Sequence, residues 1–458
     1  MNGDFLTLKF NSSGNLLWDR TFSIPFVFSS FQPYALATDD SGNVYVTGEG
    51  WVNPFNFDFI TIKYNSDGDS IWFRSFDNPM GFRDRAYNIA VYKNKYLYVS
   101  GANSYGDSTN CNFKWTTIKY DLNGNSIWER QYCGYSNYVL GDYAPIPYMT
   151  IDSSGNIIIA VANVTNPGFN NETAVVKLDS SGNRIWTKNF INRIPLSITT
   201  DRISNIFIGS NGGILKLNSF GDLIWFQSSL PSDYTGTDSV GNLMCSGSIS
   251  GLSNYISQID PSGNILWTTQ LQNGYYIKDA CFGDNGKTYI AARVSGTNGY
   301  YTFVYDDEGS LFWSNSFIDP NDTSFIPNKI LTDNNENIYI SGTGYGITIG
   351  SSIQLVKYSI LTSNSDININ PEKFSLSQNY PNPFNPKTVI SYELRVTSFA
   401  KLKVYDVLGN EVASLVYDKQ NAGYYSVEFD GRGFASGVYF YKLEAGEFSE
   451  TKRMVLLK

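Results

Sequence analysis

The sequence predicts an all-β protein: a β-propeller of four-stranded blades followed by a small Ig-like β-sandwich. Three observations predict it. A strand–turn–strand motif ending in tryptophan recurs seven times. A second strand–turn–strand motif alternates with it. The composition, with 40 glycines, 16% aromatic and only 16% charged residues, suits many short strands joined by tight turns. No segment carries the apolar periodicity of a long helix.

The first motif reads LTLKFNSSGNLLW at 6–18, ITIKYNSDGDSIW at 60–72 and TTIKYDLNGNSIW at 116–128. It continues as AVVKLDSSGNRIW at 174–186, GILKLNSFGDLIW at 213–225, ISQIDPSGNILW at 256–267 and TFVYDDEGSLFW at 302–313. Seven of the nine tryptophans (Trp18, Trp72, Trp128, Trp186, Trp225, Trp267 and Trp313) close it, spaced by 54, 56, 58, 39, 42 and 46 residues. The second motif places a Gly-Asn type of turn before an alternating strand, as in TDDSGNVYVTG at 38–48 and TDNNENIYISG at 332–342. Turns such as Asn-Ser-Asp-Gly favour a type I turn whose glycine takes positive φ and closes a hairpin with a bulge. Two hairpins make four strands, the content of one propeller blade. A blade cannot bury both faces alone, so the tryptophan is expected between neighbouring blades.

Seven double-hairpin units follow one another from near Tyr34, and the last ends in a lone strand, Ile353–Tyr358. The hairpin at 5–22 is expected to supply that unit's missing outer strand and close the ring, removing exposed sheet edges. Seven blades are favoured and eight are allowed. These repeats, over roughly residues 5–358, resemble the SBBP-type β-propeller repeats of secreted bacterial proteins. The resemblance implies architecture and says little about activity.

The propeller is expected over 1–358 and a polar linker over 359–373. A second domain is expected over 374–458. Its opening, FSLSQNYPNPFNPKTVISYEL at 374–394, holds three prolines within Tyr380–Pro386, which fix an extended segment. Alternating strands follow at 400–406, 411–417, 424–430, 437–444 and 450–458, separated by glycine turns. Short strands at this spacing predict an Ig-like sandwich. The segment is similar to the type A sorting domain of the type IX secretion system, related in fold to FlgD-like Ig domains. The matching residues are Asn379, Tyr380, Pro381, Asn382, Pro383, Phe384, Asn385 and Pro386, then Tyr405, Asp406 and Gly409. Gly423, Gly437, Tyr439 and the lysine-bearing end from Lys452 to Lys458 complete the match. The resemblance implies handling by an outer-membrane translocon and a sortase, and cleavage in or near 359–373. It also implies attachment to anionic lipopolysaccharide and a secreted or outer-surface location. No signal peptide is visible at the N-terminus, so the N-terminus is expected to be incomplete.

Composition excludes several functions. The chain contains no histidine, which rules out Ser-His-Asp and Cys-His catalysis and His-ligated zinc. Its four cysteines form no CxxC pair. The formal net charge is −9, residues 374–458 carry +1 of it, and no basic stripe is present to favour nucleic acid. No apolar run approaches the roughly 20 residues of a membrane span.

Candidate chemistry is sparse. Asp67 and Asp69 in Asn65-Ser66-Asp67-Gly68-Asp69 offer closely spaced oxygens that suit calcium. Recurring Asp and Asn at such turns equally cap their own backbone, and otherwise no cofactor is expected. Acids outside the repeat, Asp84, Glu129, Asp142 and Glu172, are the candidates for carboxylate-based polysaccharide cleavage, and nothing in the sequence joins them. The expectation is therefore a non-enzyme. Aromatic loops at Gly50–Phe59, Gly134–Tyr148 and Gly274–Tyr276 suit stacking on sugars, contacts with protein, or packing between blades. Cys111 and Cys133 lie almost symmetrically about one hairpin turn and suit a disulfide. Cys245 and Cys281 read as small buried apolar residues. The expected role is a secreted or surface module that binds glycan or protein. A carboxylate-dependent hydrolase or lyase and a structural surface-layer component are the alternatives.

Overall fold

The computed structural model describes all residues except 1–4, 13, 24–30, 54–55, 79–80, 106–112, 135–144, 165–170, 229, 231, 250–252, 272–274, 284–285, 295–298, 319–321, 347–349, 360–373, 380, 421–422 and 458. The chain divides into two compact units, Met1–Ser359 and Ile360–Lys458. The expected linker thus lies almost wholly outside the described residues.

The first unit is a propeller built from consecutive antiparallel sheets. A hairpin of β1 (Phe5–Phe10) and β2 (Leu16–Phe22) comes first. Blade one follows as β3 (Phe31–Thr38), β4 (Val44–Asn53), β5 (Asn56–Tyr64) and β6 (Ser70–Phe76). Blade two is β7 (Gly81–Tyr92), β8 (Tyr96–Tyr105), β9 (Phe113–Asp121) and β10 (Ser126–Gly134). A single parallel pair, Phe57 with Arg83, links these two blades. Blades three to six are four-stranded sheets over residues 148–191, 195–227, 234–270 and 275–318. Blade seven has three strands, Asp322–Thr332, Ile338–Gly346 and Gly350–Tyr358.

One contact repeats around the ring. In blade one, the amine of Lys63 and the indole N–H of Trp72 both donate to the Leu122 carbonyl of blade two, at 2.9 and 3.2 Å. Lys119 and Trp128 share the Ser180 carbonyl, at 2.7 and 3.1 Å. Lys177 and Trp186 share that of Ser219, and Lys216 and Trp225 that of Pro261. Two residues past the Trp, Arg74 and Arg130 reach the next turn's glycine carbonyl at 2.7 and 2.8 Å. That glycine has to be glycine. Gly124 and Gly182 take φ of +82° and +79°, and a Cβ on either would stand 2.8 Å from the preceding tryptophan ring. From Trp18 to Trp267 each motif tryptophan packs against the next blade's turn, and so lies between neighbouring blades as the sequence predicts.

Apolar residues fill the spaces between blades. Tyr98 and Trp128 of blade two form one buried cluster with Ile157, Ile159, Val176 and Leu178 of blade three. Fully burying such side chains contributes about 1.5–3 kcal/mol each.

The same contact corrects the expected ring closure. Lys9 and Trp18 of the hairpin grip the Ser66 carbonyl of blade one, at 2.8 and 3.0 Å. Lys357 of blade seven donates to Ser12 in the hairpin's own turn, at 2.7 Å. The hairpin therefore occupies a position of its own between blades seven and one. Among the described residues it adds no strand to Gly350–Tyr358, because β1 and β2 pair only with each other. It matches the last two strands of a blade, which is why it fits an eighth position and not the outer edge of the seventh.

The second unit packs a three-stranded sheet (Ser375–Leu376, Lys387–Leu394, Gly423–Asp430) with a four-stranded one (Glu411–Gln420, Ser398–Tyr405, Gly437–Ala445, Phe448–Leu456). The core is a single cluster that includes Phe384, Ile390, Leu402, Val404, Tyr441, Leu443 and Met454.

Trp128→Ala is expected to destabilise the full chain by about 3–5 kcal/mol. Ile185→Ala, at a position 51% exposed in a neighbouring blade, should stay within about 0.5 kcal/mol. Denaturant midpoints at constant slope check the pair.

Candidate functional site

Up-and-down blades sort their loops by end. The regular Gly turns share one end of each sheet. The loops between second and third strands and the links from blade to blade share the other, where blade-specific residues collect.

The regular turns are self-satisfied. Asn65 Oδ1 accepts from the backbone N–H groups of Asp67 and Asp69, at 3.0 and 2.7 Å. The Asn65 side-chain amide donates to Asp69 Oδ2 at 2.9 Å. Asp121, Asp152 and Asp179 repeat this arrangement with the Asn four residues on. The bonds from that Asn and from the turn's own N–H groups outweigh burial and hold the Asp121 and Asp179 carboxyls below the usual range. Asp67 and Asp69 thus sit in a turn that caps itself. Among the described residues no group of three or more Asp, Glu or Cys side chains forms a metal cluster.

Two blade-specific constellations occupy the other end and the axis. At the first, Glu49 is 1% exposed and receives Arg83 through two bonds of 2.6 and 2.7 Å, Arg85 at 3.1 Å and the Tyr34 hydroxyl at 2.9 Å. Burial raises the Glu49 pKa, but the Arg83 and Tyr34 bonds and the two guanidinium charges outweigh it and bring it below the usual value. Arg83 also lies over the Phe57 ring at 4.5 Å, and Phe57 stacks on Trp51 at 5.5 Å. The aromatic pair of the 50–59 loop is therefore engaged within the fold. On the opposite face of the same strands, Asp58 and Asp84 are buried together. Burial first, then the charges of Asp77 and Asp84, lifts Asp58 to about 7, and burial lifts Asp84 to about 7 in spite of the Asn78 N–H and the Asn103 side chain.

The second constellation is axial. The innermost strands of blades two to seven converge on a depression of about 300 Å³. Asn88, Tyr148, Ser197, Asp233, Tyr234, Asp279 and Lys329 line it. Asp279 pairs with Lys329 at 3.0 Å and accepts the Ile330 N–H at 2.8 Å. Asp233 accepts the Ser248 N–H at 3.1 Å. Burial raises both carboxyls, that of Asp279 in spite of Lys329.

Of the non-repeated acids singled out in the sequence, Asp84 is in the first constellation and Asp142 lies outside the described residues. Glu129 is exposed, and its carboxylate accepts a neighbouring Gln131 amide. Glu172 lies in the third strand of blade three and joins neither group. Most of the 134–148 loop is also outside the described residues. Tyr275 packs on Tyr301 and Phe303, and Tyr276 is exposed. Cys133 is disulfide-bonded, Cys245 and Cys281 are free thiols, and Cys111 lies outside the described residues. Sequence reasoning missed Glu49, Asp58, Arg83, Arg85, Asp233, Asp279 and Lys329. A signal existed for Glu49: it follows Gly48, where Ala102 follows Gly101 in blade two and Thr343 follows Gly342 in blade seven.

In the second unit the proline-rich segment is pinned at two points. Asn379 is buried and donates to Thr388 and to the Pro381 carbonyl, while its N–H donates to Tyr441. Phe384 is buried and exchanges backbone bonds with Val455 and Leu457. Between these anchors Pro381, Asn382 and Pro383 are exposed, Asn385 is exposed beyond them, and Tyr380 lies outside the described residues. Asp406 caps its turn through Asn410 with Gly409 at φ +84°. Tyr439 donates to the Ala435 carbonyl, and Lys452 pairs with Glu450. Gly437 starts a strand at an exposed position, and Lys458 lies outside the described residues.

Comparison with known proteins follows these two units. The family model of the secretion system C-terminal sorting domain matches residues 378–457, and that of the SBBP β-propeller repeat matches residues 28–56. No curated protein matches the chain in sequence. Similar solved structures include a Bacteroides caccae protein of unknown function, at 11% identity and TM-score 0.36, covering 56% of this chain and 90% of that one. PorZ of Porphyromonas gingivalis, an essential bacterial surface component of the type-IX secretion system, is similar at 12% identity and TM-score 0.36. That likeness covers 96% of this chain and 61% of PorZ. The Dos1 propeller is similar at 11% identity and TM-score 0.42, covering 79% and 92%. The chain carries a propeller repeat and a type IX C-terminal sorting domain, and it is a secreted or outer-surface protein.

Glu49→Gln is expected to cost about 3–5 kcal/mol at neutral pH, because it removes the buried carboxylate charge that Arg83 and Arg85 share. The Glu49 pKa is lowered in the fold, so its contribution is present above the unfolded value of about 4.3 and lost as pH falls through the folded value. Denaturation curves from pH 7 to pH 3 should accordingly converge for the two proteins at the acid end.

Proposed function

We propose that this protein is an extracellular interaction module that binds a hydroxyl-rich glycan segment in the axial depression of its propeller. Its C-terminal domain engages the secretion translocon and sortase. The observation that carries the reading is the composition of that depression. Tyr148 and Tyr234 offer aromatic faces, and Asn88, Ser197, Asp233 and the Asp279–Lys329 pair offer hydrogen-bonding groups around about 300 Å³. Concave sites with a few convergent polar groups are where small ligands and chain segments bind. Aromatic rings supply contact area for sugar faces at small entropic cost.

A second reading, a carboxylate-dependent hydrolase or lyase, draws on one feature: Asp233 and Asp279 share the depression and both titrate above the usual carboxyl range. The binding reading is preferred because each acid is already engaged by a backbone N–H, and Asp279 also by Lys329. Paired catalytic acids instead need one group free to protonate the leaving oxygen.

The test is retention of the purified full chain on bacterial, plant and algal polysaccharides, with assay for new reducing ends and unsaturated products. Retention without products is expected, and Tyr148→Ala or Lys329→Ala should weaken it by about tenfold or more, equivalent to about 1.4 kcal/mol. Released oligosaccharides would establish the enzymatic reading. Neither retention nor release would shift the reading to protein partners or a surface-layer role. In a type IX-competent host, removal of residues 374–458 should hold the propeller in the periplasm, whereas Asn385→Ala, on the exposed stretch of the proline-rich segment, tests recognition without loss of fold.

A further inference from the structure

We propose that blades one and two hold a hard divalent cation, calcium being the fitting one, between Asp58 of β5 and Asp84 of β7, with the Asn56 carbonyl oxygen as a third ligand. The register places these groups. Phe57 and Arg83 are a parallel pair, so the residues after them, Asp58 and Asp84, stand side by side on the opposite face. Asn56 shares the Asp58 face of β5, two residues back along the strand. Asn103 faces Asp84 directly from β8.

All four side chains are buried: Asn56 is 8% exposed, Asp58 3%, Asp84 0% and Asn103 0%. Three oxygens among them, Asn56 Oδ1, Asp58 Oδ1 and Asp84 Oδ1, have no hydrogen-bond partner. Asp84 Oδ2 takes the Asn78 N–H at 2.6 Å, and the Asn56 amide donates to Asp77 at 2.7 Å. Neither bond brings in a positive charge. The alternation of β7 puts Arg83 and Arg85 on the other face, where Glu49 holds both. Buried carboxylates without a counter-charge are costly, and each must be protonated or paired. One proton shared between the two carboxyls satisfies an oxygen on each and leaves Asn56 Oδ1 without a donor. A calcium ion takes six to eight oxygen ligands at about 2.3–2.6 Å and satisfies the three orphaned acceptors together, with water and backbone carbonyls completing its shell. Extracellular modules need only weak sites, with Kd of about 10⁻⁴–10⁻³ M.

The site differs from the turn at Asp67 and Asp69, where both acids are exposed and Asp69 Oδ2 already accepts the Asn65 amide. The experiment strips the full chain with a chelator and titrates it with calcium chloride at pH 7.5. The readouts are the thermal midpoint and displacement of terbium luminescence. A saturable rise in midpoint and competition with terbium are expected. Asp58→Asn and Asp84→Asn should each weaken calcium by about tenfold or more, while Asp67→Asn leaves it unchanged. Absence of any calcium response in the unsubstituted chain overturns the proposal. So does a response that survives in Asp58→Asn and Asp84→Asn, or one that Asp67→Asn abolishes. Unsubstituted chain that ignores calcium, with Asp58→Asn raising the midpoint, would assign the cluster to a shared proton.

Discussion

The propeller depends on one interaction: in the hairpin and in blades one to four, a lysine and a tryptophan grip a single turn carbonyl of the next blade, and in blade five the tryptophan does so without a lysine. In the fullest cases an arginine two residues past the tryptophan takes the carbonyl of the turn's glycine. The grip is directional, so it sets the order of the blades as well as their spacing. It explains why blades one to six keep a glycine at positive φ, since a Cβ there would meet the indole. It also explains why the turn's first residue is Asp or Asn, which holds the turn in shape so that its carbonyls point outward to the neighbour. With the Lys357–Ser12 contact, the N-terminal hairpin becomes part of the ring and not an appendage.

A ring held at its turn end leaves the other end and the axis free to vary. That division of labour places every unusual residue. The Glu49–Arg83–Arg85 network, the Asp58–Asp84 cluster and the axial depression consist of residues that break the blade pattern. The first two lie on opposite faces of the same strands. Strand alternation alone separates the two cations from the two acids, and burial prevents solvent from masking the difference.

Much of this was legible in the sequence. The repeat announced the blades, the tryptophans announced the spaces between them, and the ordered motifs from Asn379 to Lys458 announced the sorting domain. What stayed hidden depends on pairing between distant segments. Asp58 and Asp84 meet only because Phe57 pairs with Arg83 across two blades. Asp233, Asp279 and Lys329 meet only because successive inner strands face one axis. The hairpin's place is hidden for a related reason. Its sequence matches the last two strands of a blade, but whether such strands extend blade seven or stand apart is decided by pairing across the ring.

The hairpin closes the ring and so holds the inner strands around one axial depression. Hydrogen exchange on the full chain tests it most directly, because local opening energies report which elements belong to the cooperative unit. Amides of β1, β2 and the Gly350–Tyr358 strand should exchange on the timescale of the middle blades, and Lys357→Ala should accelerate the hairpin and that strand together. Exchange of β1 and β2 at the rate of an isolated hairpin, indifferent to Lys357→Ala, would contradict it.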